Sequence, residues 1–229
     1  MGMYDRDWYR DSIKNQSQNR KNRTKNRINP YFTIFLFFLL LFILLPIVGR
    51  FTPYRVTVSL ILLNCLVFIL IKLKKFRVSD LGSSYRTVGV NGECYRVVSA
   101  AFTHEEPLHI IFNMGSLYNL GEVLEKNFGS WMFLLFYVVI MILGGTASVI
   151  VHKKKSPFIL SIGASGVICG LLGVYLVYAI HMLGIMGIKS VLPSLLMMVL
   201  MTASKKIDSI GHFTGLATGL ICGILLINI

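Results

Sequence analysis

Residues 158–182 read FILSIGASGVICGLLGVYLVYAIHM, a run without one Asp, Glu, Lys or Arg. A helix needs roughly 20 such residues to cross about 30 Å of hydrocarbon, so this stretch is long and apolar enough to span a membrane. Yet it holds Ser165, flanked by Gly163, Ala164 and Gly166. A second apolar run, 209–228, holds His212. A serine hydroxyl attacks a carbonyl only when a partner takes its proton, and a histidine, titrating near neutrality, is the usual partner. A nucleophile and a base in lipid-buried segments point to proteolysis inside a membrane.

Outward from these two runs lie five more apolar stretches, about 32–49, 55–71, 108–124, 131–151 and 186–203, which makes seven expected spans. A chain that is 55% hydrophobic and 14% charged is not a soluble enzyme. Loops cannot rest in hydrocarbon with unpaired N–H and C=O groups, so the spans must be helices packed as a bundle, and the fold class is an all-α membrane protein. Residues 1–30, rich in Arg, Lys, Asn and Gln, bury too little to offset ordering entropy and read as a basic flexible tail. The run that follows is long, and Pro46-Ile47-Val48-Gly49 makes a poor cleavage site, so it reads as a retained span rather than a signal peptide. The longest connection, about 72–107, carries Val97, Val98 and Phe102, more than a solvated linker needs.

The formal net charge of +13 raises nucleic-acid binding as a reading, but the basic residues cluster in the tail and between spans, as the positive-inside rule requires. Nucleic acid is therefore not an expected partner. With seven spans, the tail (eight Lys and Arg), the long loop (six), Lys153–Lys155 and Lys205-Lys206 share one side. Only Arg50, Arg55, Lys126 and Lys189 fall on the other. The tail is thus expected in the cytoplasm. Of the four cysteines, Cys65, Cys169 and Cys222 lie in spans and Cys94 in the loop, with no CxxC spacing; they read as small buried apolar residues, neither disulfide nor zinc ligands.

Four patterns carry the chemistry. His109 and Asn113 stand at i, i+4, on one helical face, where two donors can hold an oxyanion or simply bond a neighbouring helix. Gly163-Ala164-Ser165-Gly166 lets a backbone come close and lets the Ser165 N–H reach the same oxyanion. His212 is followed by Gly215, Gly219 and Gly223 and preceded by Gly211, a GxxxG run that brings the last span against a neighbour closely enough for a Ser–His hydrogen bond. Arg96, beside Tyr95, and Glu125, just past the third span, read as paired charges that hold the scaffold.

In their order along the chain, Tyr95-Arg96, His104, His109-x-x-x-Asn113, Glu125-Lys126 before Gly129-Ser130, Gly163-x-Ser165-Gly166 and His212-x-x-Gly215 resemble the rhomboid family of intramembrane serine proteases. The resemblance covers about 55–228. It implies a six-helix catalytic core over 55–229; one additional transmembrane helix and short loop, over 31–54, are expected before it. It implies Ser165 as nucleophile, His212 as general base, and His109, Asn113 and the Ser165 N–H as the oxyanion site, with Gly163, Gly166, His104, Arg96, Glu125, Gly215 and Gly219 in support. The dyad has no aspartate in this family, and no Asp lies within a span here. The substrates implied are transmembrane proteins within the lipid bilayer, cleaved in or near their helices, with no cofactor or metal; oligomeric state is left open.

Two features depart from the pattern. An aromatic often follows the nucleophile by four positions and packs on the histidine, whereas Cys169 stands there, so something else must orient His212. The additional first span resembles the one-plus-six layout of mitochondrial rhomboids and inverts the core relative to most bacterial relatives; the setting expected is nonetheless a bacterial plasma membrane. A metalloprotease reading of His104-Glu105-Glu106-Pro107-Leu108-His109 fails, because the histidines are five apart with a proline between them. The rivals from another class are a catalytically inactive rhomboid-like protein that binds membrane clients, and a transporter, for which no internal repeat is evident.

Overall fold

Among the described residues, five helical stretches are long and apolar enough to cross a membrane: Tyr31–Val48, Arg55–Lys72, Pro107–Lys154, Ser165–Leu183 and Ser209–Leu226. The structure, a computed structural model, describes residues 30–155, 157–202 and 208–227; the expected tail lies outside them except for Pro30. The helices are α1 (Pro30–Val48), α2 (Arg55–Lys72), α3 (Val78–Leu81), α4 (Tyr95–Ala101), α5 (Pro107–Val139), α6 (Gly145–Lys155), α7 (Ser165–Leu183), α8 (Ile185–Thr202) and α9 (Ser209–Ile227). π-Helical turns occupy Tyr85–Val90 and Ile140–Gly144. The all-helical fold is that of a membrane bundle.

The third and fourth spans are continuous in an unexpected way. Pro107–Lys154 is 48 residues of apolar helix, about 72 Å if straight at 1.5 Å per residue, or roughly twice what a bilayer needs. Gly129 resolves the excess: its φ of 79° and ψ of 161° break α5 into two arms. Only glycine takes that conformation without a steric cost.

Residues from Leu39 onward form one compact unit, and Pro30–Phe38 fall in the unit before it. Within the larger unit, Leu41, Leu45 and Val48 of α1 are buried while Phe42, Ile43 and Ile47 are exposed. That three-to-four spacing is one packed stripe on a helix otherwise turned to lipid. The long connection is not a bare loop: α3, the Tyr85–Val90 turn and α4 occupy it, and Ser83 and Ser161 pair through both backbone N–H groups, at 3.1 and 2.7 Å. Cys94 is exposed there, contrary to the buried role expected of it, and all four cysteines are free.

α9 makes its most extensive contact with α7. A Cβ on Gly215 would overlap the Gly166 carbonyl oxygen, and one on Gly219 the Gly170 carbonyl oxygen. The glycine run thus faces a second glycine face, and the two backbones touch with no side chain between them.

Glu125 anchors the start of α2. Its carboxylate accepts from the Val56 and Thr57 N–H groups at 2.9 Å each, from Thr57 Oγ1 at 2.8 Å and from Ser130 Oγ at 2.7 Å. The first turn of α2 has no intrahelical acceptors for those N–H groups, and its positive dipole end favours an anion. Glu125→Ala is therefore expected to cost about 3 kcal/mol of stability, since several buried donors lose a charged partner together. Thermal unfolding in detergent checks this: Glu125→Gln should recover part of the loss, and an unchanged midpoint for the alanine variant would show that the cap contributes nothing.

Candidate active site

Gly163 turns the chain into α7 with a φ of +99°, so that Ala164 is the N-cap and Ser165 the first helical residue. The Ser165 N–H is consequently one of the orphan donors at the positive end of the helix. His212 sits in the first turn of α9, buried at 6% exposure. Its Nε2 lies 2.7 Å from Ser165 Oγ. The Gly166–Gly215 approach described above makes that distance possible, because both glycines are within one turn of the two side chains.

His109 and Asn113 project from α5 toward the same point. A Cβ on Gly163 would stand 2.8 Å from His109 Nε2 and 3.6 Å from Asn113 Nδ2. His104, in the turn before α5, lies behind them, with its ring 5.0 Å from that of His109. Its Nε2 is 3.1 Å from Asn113 Nδ2 and 3.4 Å from the Ala164 nitrogen. Both neighbours are donors, so Nε2 accepts and a neutral ring carries its proton on Nδ1. Burial, aided by the neighbouring His109, pushes the His104 pKa down to about 4, which keeps the ring neutral.

That shift has a consequence for stability. Between about pH 6.5 and pH 4 the unfolded chain binds a proton at His104 that the folded chain does not. Stability is therefore expected to fall as pH drops through that window, by on the order of 2–3 kcal/mol from this residue. Unfolding midpoints at pH 7 and pH 4.5, for wild type and His104→Gln, measure it; an equal drop in both would clear His104 as the cause.

The remaining expected site residues make other contacts. The Arg96 guanidinium bonds Glu93 and the carbonyls of Ser79 and Gly82, at 2.8 and 3.0 Å to the latter two, and so ties α4 to the end of α3. Glu125 is at the α2 cap, and Gly219 is about two turns along α9 from His212. Cys169 packs with Leu172, Ala179 and Val191. It puts no ring on His212, whose Nδ1 has no hydrogen-bond partner among the described residues.

A cluster that sequence reasoning passed over adjoins the Ser165–His212 pair. Asp208 accepts from the Gly211 N–H at 3.0 Å, pairs with His152 Nε2 at 2.8 Å, takes the Ser161 hydroxyl and has Ser148 Oγ at 3.4 Å. Burial alone would raise the Asp208 carboxyl, but the bonds from Ser161, Gly211 and His152 outweigh it and hold it below the usual carboxylate range. An Asp immediately before an apolar helical run is a readable N-cap signal; nothing local marked His152 as its partner. A cavity of about 60 Å³ runs from Ser165 and His212 to Ser148, Ser161 and Asp208.

A family model described as the rhomboid domain matches residues 91–229. RHOMBOID-like protein 5 of Arabidopsis thaliana is 30% identical over 152 residues, 64% of this chain and 48% of its own length. Putative rhomboid protease YdcA of Bacillus subtilis is 27% identical over 153 residues, 65% of this chain and 75% of its own. Rhomboid protease GlpG of Haemophilus influenzae is 26% identical over 141 residues, 59% of this chain and 71% of its own. The match thus spans about half the length of the plant relative and about three quarters of the two bacterial ones.

Proposed function

Because this chain belongs to the rhomboid family, we propose that it is an intramembrane serine endopeptidase that cleaves peptide bonds in or next to transmembrane helices of other proteins, using Ser165 and His212. The observation that carries this reading is the 2.7 Å approach of His212 Nε2 to Ser165 Oγ across two different helices. Hydrogen-bond reach between nucleophile and base is the geometric requirement for activating a serine.

The steps follow from the geometry. Ser165 Oγ attacks the scissile carbonyl carbon while its proton passes to His212 Nε2. Negative charge gathers on the carbonyl oxygen, for which the donors in this reading are the Ser165 N–H, His109 and Asn113; the last two lie against Gly163. One such donor contributes roughly 3–4 kcal/mol to the transition state. The C–N bond breaks as the imidazolium returns its proton to the leaving amine, and water, activated by His212, then hydrolyses the acyl-enzyme. A helical carbonyl is already hydrogen-bonded, so the substrate helix must unwind at the cleaved bond. Gly163, Gly166, Gly215 and Gly219 act by letting α7 and α9 approach, and His104 acts by holding Asn113.

The catalytic core in this reading is 55–229, after an additional helix within 31–54 and the basic tail of 1–30. The chain is an integral multi-pass membrane protein. The bias of Lys and Arg toward the tail side supports a cytoplasmic tail and, with seven spans, a C-terminus across the membrane, which in a bacterium is the plasma membrane. A reporter fused after Ile229 that is active only in the cytoplasm would overturn this orientation.

Fluorophosphonate labelling of the purified protein in detergent, with Ser165→Ala and His212→Ala beside it, tests the activity. Labelling of wild type alone establishes an activated serine. If folded wild type stays unlabelled, the chain is an inactive relative that binds membrane clients.

A further inference from the structure

With Cys169 where an aromatic would brace the histidine, the orientation of His212 has to come from elsewhere, and the dyad reading above leaves one buried ionisable cluster unused. Asp208 stands four residues before His212, and Ser161 four residues before Ser165. The Asp208 carboxylate holds both approaches: one oxygen takes the Gly211 N–H at 3.0 Å, in the turn that carries His212, and the other takes the Ser161 hydroxyl, in the strand-like segment that leads to Ser165. The backbone carbonyl of Asp208 also accepts from the His212 N–H at 3.3 Å. His152 Nε2, 2.8 Å from the carboxylate and on a residue only 2% exposed, braces the group from α6, with Ser148 beside it. Ser161 is itself fixed by its backbone pairing with Ser83.

We propose that Asp208 is a positioning residue for the dyad: its carboxylate ties the segment bearing Ser165 to the first turn of the helix bearing His212, and its negative charge favours the imidazolium that His212 becomes on taking the serine proton. The inference rests on the dyad reading. A helix cap alone needs only the Gly211 bond, which Asn, Ser or Thr would make as well. The three further partners, drawn from α6 and from the segment before α7, join elements that a cap does not join. The carboxylate is ionised at neutral pH because its hydrogen bonds hold it below the usual range despite burial.

The charges in play are few. His152 faces Asp208 from α6, and the uncharged Ser148 and Ser161 face it from α6 and from the segment before α7. His212 feels Asp208 from its own N-terminus and His109 from α5. Lys205 and Lys206 precede Asp208 in the chain and lie outside the described residues.

The test is the pH dependence of fluorophosphonate labelling rate in detergent for wild type, Asp208→Asn and Ser161→Ala, with unfolding midpoints measured on the same samples. Asparagine keeps the shape and the cap but removes the charge. With the neighbouring anion gone, the imidazolium is less favoured and His212 stays neutral to lower pH. The acid limb of the Asp208→Asn profile is therefore expected to move to lower pH, by about half a unit or more, while the rate at its plateau falls roughly tenfold. Ser161→Ala, which keeps charge and cap but cuts the link to the Ser165 segment, is expected to lower the plateau severalfold with the acid limb unmoved. An acid limb unchanged in Asp208→Asn, with rate loss no greater than the loss of folded protein, overturns the proposal and leaves a plain cap. Should Asp208→Asn fail to fold, a Ser161→Ala plateau equal to wild type overturns it instead. Absence of labelling in folded wild type would be a different result, the failure of the dyad reading itself.

Discussion

Ser165→Ala and His212→Ala are each expected to lower turnover of a transmembrane substrate by roughly 10⁴-fold or more, and the double substitution to lower it hardly further. The two side chains make one hydrogen bond, 2.7 Å long, and share one proton. Without the base, the serine hydroxyl is a weak nucleophile; without the nucleophile, the base has nothing to activate. Their contributions therefore overlap instead of adding. What survives in each variant is the proposed oxyanion site of His109, Asn113 and the Ser165 N–H, which would still bind and polarise the carbonyl. Single-turnover cleavage of a substrate helix in proteoliposomes, for both single variants and the double, measures this. Equal residual rates support a dyad, whereas a His212→Ala variant that retains a tenth of wild-type turnover would mean another group takes the proton.

Placing a methyl or larger group at Gly215 is the second large effect. A Cβ there overlaps the Gly166 carbonyl oxygen, which is backbone and cannot swing aside. α9 must move away from α7, and a displacement of about 1 Å at a reacting pair can cost roughly 10²-fold in rate. Gly215→Ala is expected to lose about that much labelling rate, and Gly215→Val more, with unfolding midpoints falling in the same order. Gly223→Ala is the comparison: its added Cβ meets Val177 Cβ at 2.8 Å, a milder overlap than the one at Gly215, and it is three turns from His212. Its labelling rate should stay within a few-fold of wild type. If Gly215→Ala labels as fast as wild type, the close backbone contact does not set the dyad distance.

Much of this molecule is readable from local pattern. The seven apolar runs all fall on helix, because hydrophobicity is a property of a short window, but 108–124 and 131–151 join into one stretch broken only at Gly129. α7 begins at Ser165 and not near residue 158, since Gly163 at φ +99° interrupts the run. The glycine spacing on α9 was legible as a contact face, but its counterpart, Gly166 and Gly170 on α7, became visible only when the two helices were seen together.

By itself, then, the sequence determined an all-helical membrane bundle, put a serine and a histidine on different spans and marked His109 and Asn113 as sharing a face. The tertiary structure alone decided that His212 reaches Ser165, that Glu125 caps α2 from 69 positions away, and that Asp208 gathers Ser148, Ser161 and His152 around one carboxylate. The physical reason is the range of the interaction. Periodicity and capping signals act over a turn or two of chain, whereas a buried carboxylate is satisfied by whichever donors packing brings within about 3 Å, and their distance along the sequence leaves no local trace.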